Sequence, residues 1–154
     1  MKQAIMDNKS DKIIYGFDSF EGLPEDWWFT RQGKNEWFLM PKGTFSCDIP
    51  IDLPNNVVLI KGLFKDTIPD FIKSSSEKVS FMHIDCDLYS STKDVLNGFK
   101  NRFQDGSILV FDEFFEEVKR HECKAFAEFI LETGYKWTCL GSHAIEKVAF
   151  QIME

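Results

Sequence analysis

With 154 residues, the chain has room for one domain with a real hydrophobic core, and not comfortably for two. Its hydrophobic share of 44% is that of a globular protein, and 16 phenylalanines with four tryptophans make any such core unusually aromatic. A net charge of −7 argues against general binding to nucleic acid or to an anionic membrane surface. No run approaches membrane-spanning length, and no charged leader followed by an apolar stretch opens the sequence, so a soluble protein is expected. Cys47, Cys86, Cys123 and Cys139 are far apart, lack C-x-x-C spacing and fall mostly inside apolar segments. That usage predicts reduced, buried thiols and a cytoplasmic location.

In chain order, Met1 to Asp11 is mixed and polar and reads as one short helix at most. Lys12-Ile-Ile-Tyr-Gly-Phe17 is a strand ending at Asp18, and Ser19-Phe-Glu-Gly-Leu-Pro24 is a turn-rich exit from it. From Glu25 to Pro54 no period is visible, while Trp27, Trp28, Phe29, Trp37, Phe38 and Phe45 alternate with glycines, prolines and charges. A stretch of that length reads as a functional loop, either a lid or substrate wall or a loop folded back over one sheet face. Asn56-Val-Val-Leu-Ile-Lys61 is the next strand, followed by Gly62 and by a helix carrying Ile68, Phe71 and Ile72 around Pro69.

The most informative stretch follows. Val79-Ser-Phe-Met-His-Ile84 has the apolar character of a buried parallel strand, and Asp85 and Asp87 stand directly at its end. Ser90, Ser91 and Thr92 read as a helix start, with Ser91 and Asp94 at capping-box spacing. Val95, Leu96, Phe99 and Phe103 mark the buried face of that helix, within which Gly98 costs roughly 1 kcal/mol relative to alanine. Asp105-Gly106 is a turn, and Ser107-Ile-Leu-Val-Phe111 is a second buried strand that also ends in acids, Asp112 and Glu113. Strand, helix and strand form a right-handed crossover with parallel strands. If the strands are neighbours, about 4.8 Å apart, four acids gather at the carboxyl edge of the sheet, where open α/β folds bind ligands.

Such a cluster needs a reason. Two unit charges 4 Å apart repel by about 4 kcal/mol at an effective dielectric of 20, so the cluster must hold a proton, a cation or a basic neighbour. Oxygen donors without a cysteine or histidine pair favour magnesium, calcium or manganese over zinc. The plainer reading has Asp85 capping a turn and Glu113 solvated. Downstream, His121 to Thr133 is a helix with Phe126, Phe129 and Ile130 on its buried side and Gly134 as its stop. Lys136-Trp-Thr-Cys-Leu140 and Lys147-Val-Ala-Phe-Gln-Ile152 are an antiparallel pair. His83 and His121 read as structural and His143 as solvated. The fold class is α/β, a mostly parallel sheet with an antiparallel C-terminal hairpin.

Four ordered phrases, Tyr15-Gly-Phe-Asp-Ser-Phe-Glu-Gly-Leu-Pro24, Lys61-Gly-Leu-Phe-Lys-Asp-Thr-Ile-Pro69, His83-Ile-Asp-Cys-Asp-Leu-Tyr-Ser-Ser-Thr92 and Ser107-Ile-Leu-Val-Phe-Asp-Glu113, resemble the macrocin O-methyltransferase family. The resemblance runs from about Lys12 to the C-terminus, and the closing hairpin is similar to the antiparallel ending of Rossmann-like class I methyltransferase sheets. It implies an S-adenosylmethionine-dependent, divalent-metal-assisted enzyme, with magnesium the expected ion, that methylates a hydroxyl of a sugar or other small molecule. Carried over by position, Asp85, Asp112 and Glu113 would be metal ligands and Asp87 the general base. Asp18 would hydrogen-bond the cofactor ribose, with Ser19 and Gly62 beside it.

Two departures accompany the resemblance. Family members usually carry an Asp-Asp pair where this chain has Asp112-Glu113. The family's first strand and glycine-rich turn should precede Lys12, where only eleven residues stand, none of them glycine, and no G-x-G occurs anywhere. The expectation is a sheet without its central strand, in which Lys12–Phe17 pairs directly with Val79–Ile84 or a second subunit fills the gap. Two other functions stand beside the enzyme: a catalytically silent binding or oligomerising module, and a glycosyltransferase using Asp85-Cys-Asp87 as a D-x-D metal grip.

Overall fold

The computed structural model describes residues 12–30, 36–114, 121–143 and 147–153. The short helix read into Met1 to Asp11 lies outside the described residues. Among the described residues there are eight strands, β1 (Ile14–Asp18), β2 (Trp27–Thr30), β3 (Trp37–Met40), β4 (Val57–Lys61), β5 (Phe81–Ile84), β6 (Ile108–Phe111), β7 (Lys136–His143) and β8 (Lys147–Met153). Three helices are described, α1 (Phe64–Ser74), α2 (Tyr89–Phe99) and α3 (His121–Thr133). No helix among the described residues is long and apolar enough to cross a membrane.

The crossover read from the sequence forms as expected. β5 and β6 are parallel neighbours in the register Phe81↔Ile108 to Ile84↔Phe111, joined through α2. β8 runs antiparallel to β6, and β7 lies outside β8, giving the order β5-β6-β8-β7. Strict alternation in β6 and β8 sends Leu109, Phe111, Val148, Phe150 and Ile152 inward. Phe111, Phe114, Phe126 and Phe150 stack there with ring centroids 4.7–6.2 Å apart, which is where much of the aromatic content is used.

β1 and β4 form a separate parallel pair, Ile14↔Val57 to Asp18↔Lys61. Direct pairing of the first strand with Val79–Ile84 does not occur. β1 is laddered on one side only, to β4, extended by Ile14 N–H to Asn56 O and Gly62 N–H to Asp18 O, and β5 on one side only, to β6, so among the described residues the second edge of each strand has no strand beside it. Side chains of α1 and α2 join the two sheets instead. Phe17 packs edge-on against Phe71 and Phe99, and the Arg102 guanidinium donates to the Ile72 and Ser75 carbonyls at the end of α1. Gly98 lets α2 come close to α1, since a Cβ there would stand 2.4 Å from Ile68 Cγ2.

Three further expectations change. The stretch from Glu25 to Pro54 is not wholly irregular, because β2 and β3 pair as an antiparallel hairpin with Trp27 opposite Met40. The α2 start is not a capping box: the helix begins at Tyr89, Leu88 occupies the cap position without a side-chain bond, and Ser91 and Thr92 are buried. The Tyr89 N–H donates instead to His121 Nδ1 at 3.0 Å, so an imidazole from α3 takes the place a serine would fill and the histidine is structural, as read. All four cysteines are free, but Cys47 and Cys139 are exposed, one on the loop after β3 and the other on the outer strand β7.

Candidate active site

β5 ends at Ile84 in the core, and the chain turns sharply through Asp85-Cys86-Asp87. The Leu88 N–H donates to Cys86 O at 2.5 Å across Asp87, whose φ is +58°. A three-residue turn centred on a left-handed, non-glycine residue is strained, a state found mainly where surrounding structure imposes it and chemistry uses it. On the neighbouring strand the Asp112 N–H donates to Ile84 O at 3.0 Å, carrying the ladder one residue beyond Phe111 and bringing Glu113 alongside. Asp85, Asp87 and Glu113 each offer a carboxylate oxygen within 4.8 Å of the others.

Asp112 is held apart from that trio. It follows Phe111, which lies opposite Val148, so it faces Lys147, and its Oδ1 accepts from the Lys147 ammonium with His83 Nε2 3.7 Å away. Neither Lys147 nor His83 was singled out as a site residue from the sequence; their approach depends on β8 lying beside β6, a strand order no local pattern reveals. Glu122 was also missed. It is fully buried, and its Oε1 accepts from the Cys86 N–H at 3.2 Å while its Oε2 accepts from the Glu113 N–H at 3.1 Å. Its signal was available, since Glu122, Phe126 and Phe129 share one helical face.

The electrostatics follow from this crowding. Burial, then the charges of Asp85 and Asp112, push Asp87 up to about 6, with a hydrogen bond from Glu113 acting the other way. Burial followed by the charge of Asp87 pushes Glu113 up to about 8. Burial also lifts Glu122 to about 8 against its two backbone hydrogen bonds, and raises the Cys86 thiol. Burial and mutual repulsion thus both favour the protonated forms of these groups. Glu113 Oε2 is buried without a hydrogen-bond partner.

A cavity of about 730 Å³ connects this edge to the carboxyl ends of β1 and β4. Asp18, Ser19 and Gly62 line one end, and Asp85, Asp87 and Glu113 line the other; Asp112 is not part of the lining. Asp18 Oδ1 accepts from the Phe20 N–H at 2.7 Å, and Ser19 Oγ accepts from Glu21 N–H and donates to Gly22 O, so the exit from β1 is a tightly tied turn. Gly62 has φ +142°, and a Cβ there would stand 2.7 Å from Thr67 Cγ2. The aromatic segment closes over the acid side: Trp27 and Leu23 bury against Leu88, Glu25 accepts from Ser90 Oγ at 2.5 Å, and Phe45 lines the cavity.

The profile described as macrocin-O-methyltransferase (TylF) matches residues 1–133. The chain belongs to the macrocin O-methyltransferase family. Among solved structures, this family member is similar to the O-methyltransferase NovP, at 19% identity and a TM-score of 0.71 over all of this chain and 66% of that one. It is likewise similar to CalS11, a calicheamicin methyltransferase, at 21% identity and a TM-score of 0.66 over 90% of this chain and 60% of that one. The chain thus spans less than two thirds of the length of either, and these likenesses establish its Rossmann-like fold. No curated protein sequence matches it significantly. Of the residues assigned by family resemblance, Asp85, Asp87 and Glu113 meet at one end of the cavity, Asp18, Ser19 and Gly62 meet at the other, and Asp112 turns toward Lys147.

Proposed function

We propose that this macrocin O-methyltransferase family protein methylates a hydroxyl of a sugar or similar small molecule, using S-adenosylmethionine and a divalent ion, magnesium. The observation that carries the reading is the single cavity with two chemically different ends, a turn with one aspartate and close backbone at β1 and β4, and clustered carboxylates at β5 and β6. When bound, the methyl donor supplies an electrophilic carbon and the ion supplies positive charge that makes an acceptor hydroxyl more acidic.

The residues suit that division. Asp85 and Glu113 offer hard oxygen ligands, and two ligands on one ion lie at most about 4–5 Å apart given metal–oxygen distances of 2.0–2.6 Å, which the 4.8 Å limit on the cluster allows. The orphaned Glu113 Oε2 gives an ion a reason to be there. Asp112, whose Oδ1 faces Lys147 and His83 and which does not line the cavity, would have to turn toward Asp85 and Glu113 to serve as the third ligand. Asp87, pushed up to about 6, has the basicity to take the acceptor proton near neutral pH as the hydroxyl oxygen forms its bond to the methyl carbon and the carbon–sulfur bond breaks. Asp18 offers a carboxylate to ribose hydroxyls, and Ser19 with Gly62 gives the cofactor a close backbone approach.

A second ligand set is favoured by one observation, the mutual closeness of Asp85, Asp87 and Glu113 while Lys147 occupies Asp112. The test of the main reading is calorimetric titration with S-adenosylmethionine in magnesium-containing buffer. Binding heat that Asp18→Ala weakens is expected. Absence of heat at millimolar cofactor would leave family membership and remove the activity.

A further inference from the structure

Beneath the acid edge lies a carboxylate that lines no part of the cavity. Glu122 is 0% exposed, in the first turn of α3, on the face that also buries Phe126 and Phe129. Its two oxygens are divided between two strand exits: Oε1 takes the amide of Cys86, which sits between Asp85 and Asp87, and Oε2 takes the amide of Glu113. The adjacent His121 takes the amide of Tyr89, so the first turn of α3 binds the β5 exit twice and the β6 exit once.

Stability alone is a poor account of this arrangement. A buried carboxylate is expensive to desolvate, and replacing buried ionic groups by well-packed apolar ones is often neutral or stabilising. Glu122 also adds a titratable group behind an edge already crowded with acids. What it supplies is geometry. The separation between the β5 acids and the β6 acid is set by two loop exits, and one buried side chain bridges them by accepting an amide hydrogen bond at each of its two oxygens.

We propose that Glu122 is the positioning residue of the acid edge, clamping the Cys86 and Glu113 amides so that Asp85 and Glu113 are held at the spacing that grips a divalent ion. The inference rests on the metal-assisted reading above. Groups that orient metal ligands typically contribute ten- to a hundred-fold in affinity, and Glu122 does so through two backbone amides and without touching the ion.

The experiment measures manganese affinity of the full chain by electron paramagnetic resonance, with backbone amide exchange read at Cys86, Glu113 and, as a control inside β6, Leu109. Glu122→Gln keeps the volume but aims an NH2 group at one of the two amides. It should weaken manganese binding about ten- to a hundred-fold and speed exchange at Cys86 and Glu113, leaving Leu109 unchanged. Phe126→Leu, on the same helix face and away from the clamp, should keep wild-type affinity. If Glu122→Gln does not fold, Glu122→Asp, which keeps the charge but is one methylene too short to span both amides, should show the same loss. Wild-type affinity in a folded Glu122 variant, or an equal loss in Phe126→Leu, would overturn the role of Glu122. Failure of the unaltered protein to bind manganese would instead overturn the metal reading, and the role with it.

Discussion

At the acid end of the cavity, β5 and β6 belong to a four-stranded sheet that buries Ile84, Leu109 and Phe111 almost completely, with Glu122 bridging the two exits. At the other end, β1 and β4 form a two-stranded pair in which Tyr15 and Val58 are exposed, and α1 and α2 connect it to the rest through the Phe17, Phe71 and Phe99 rings. The contrast divides the work. In the proposed function, gripping an ion and moving a proton would demand fixed distances, and the acids stand on the larger and more deeply buried sheet. Holding an extended cofactor at the other end would set a looser demand on distance.

The largest effect should come from the acid end. Asp87→Asn removes the proposed base and should lower methyl transfer about 10²–10⁴-fold in a radiolabelled methyl assay. The same change should raise the melting temperature of the metal-free protein, because it removes a buried carboxylate that Asp85 and Asp112 destabilise. Titrating manganese into Asp87→Asn and Asp112→Asn separates the two ligand sets, since only loss of a ligand should abolish binding. Retained binding in Asp87→Asn with loss in Asp112→Asn supports Asp87 as base; the reverse supports it as ligand.

At the other end the expected change is smaller. Asp18→Ala deletes one charge-assisted hydrogen bond to the cofactor, about 1.5–3 kcal/mol, and should weaken S-adenosylmethionine binding in calorimetry roughly ten- to a hundred-fold without altering manganese affinity. The joint between the ends is probed by Gly98→Ala, whose Cβ collides with Ile68; overpacking of that kind costs typically 1–3 kcal/mol and should appear as a lower urea midpoint.

The acid end also predicts a pH dependence. Asp87, Glu113 and Glu122 all titrate higher in the folded protein than in the unfolded chain, where their ordinary values are 3.8, 4.5 and 4.5. The folded state then binds more protons between about pH 4 and 8, so stability is fully present below pH 4 for these groups and is lost as pH rises through about 6 and then about 8. Melting temperatures of the metal-free protein should fall across that window. A divalent ion should flatten the fall and release protons on binding.

The acid end was the more legible in sequence, for physical reasons. Apolar runs broken by Asp85, Asp87, Asp112 and Glu113 reveal strand ends because a buried strand cannot carry charges, and the crossover rule then makes the strands parallel. What stayed hidden depended on partners distant in the chain. Ser91 has the spacing of a cap, but His121, thirty residues away, took the amide at the helix start. Asp112 looks equivalent to Glu113 until the register with β8 brings Lys147 across from it. The β2–β3 hairpin has no readable period because Trp27 is buried while Trp28 and Trp37 remain exposed, so aromatic character alone did not separate inward from outward positions.

In the proposed function one cavity holds both the ion and the methyl donor. The most direct measurement is proton resonance of the S-adenosylmethionine sulfonium methyl in the presence of the protein, with manganese replacing magnesium. Strong paramagnetic broadening of that methyl signal is expected, lost on adding chelator and lost in Asp18→Ala at sub-saturating cofactor. A methyl signal that stays sharp while both ligands are bound would contradict it.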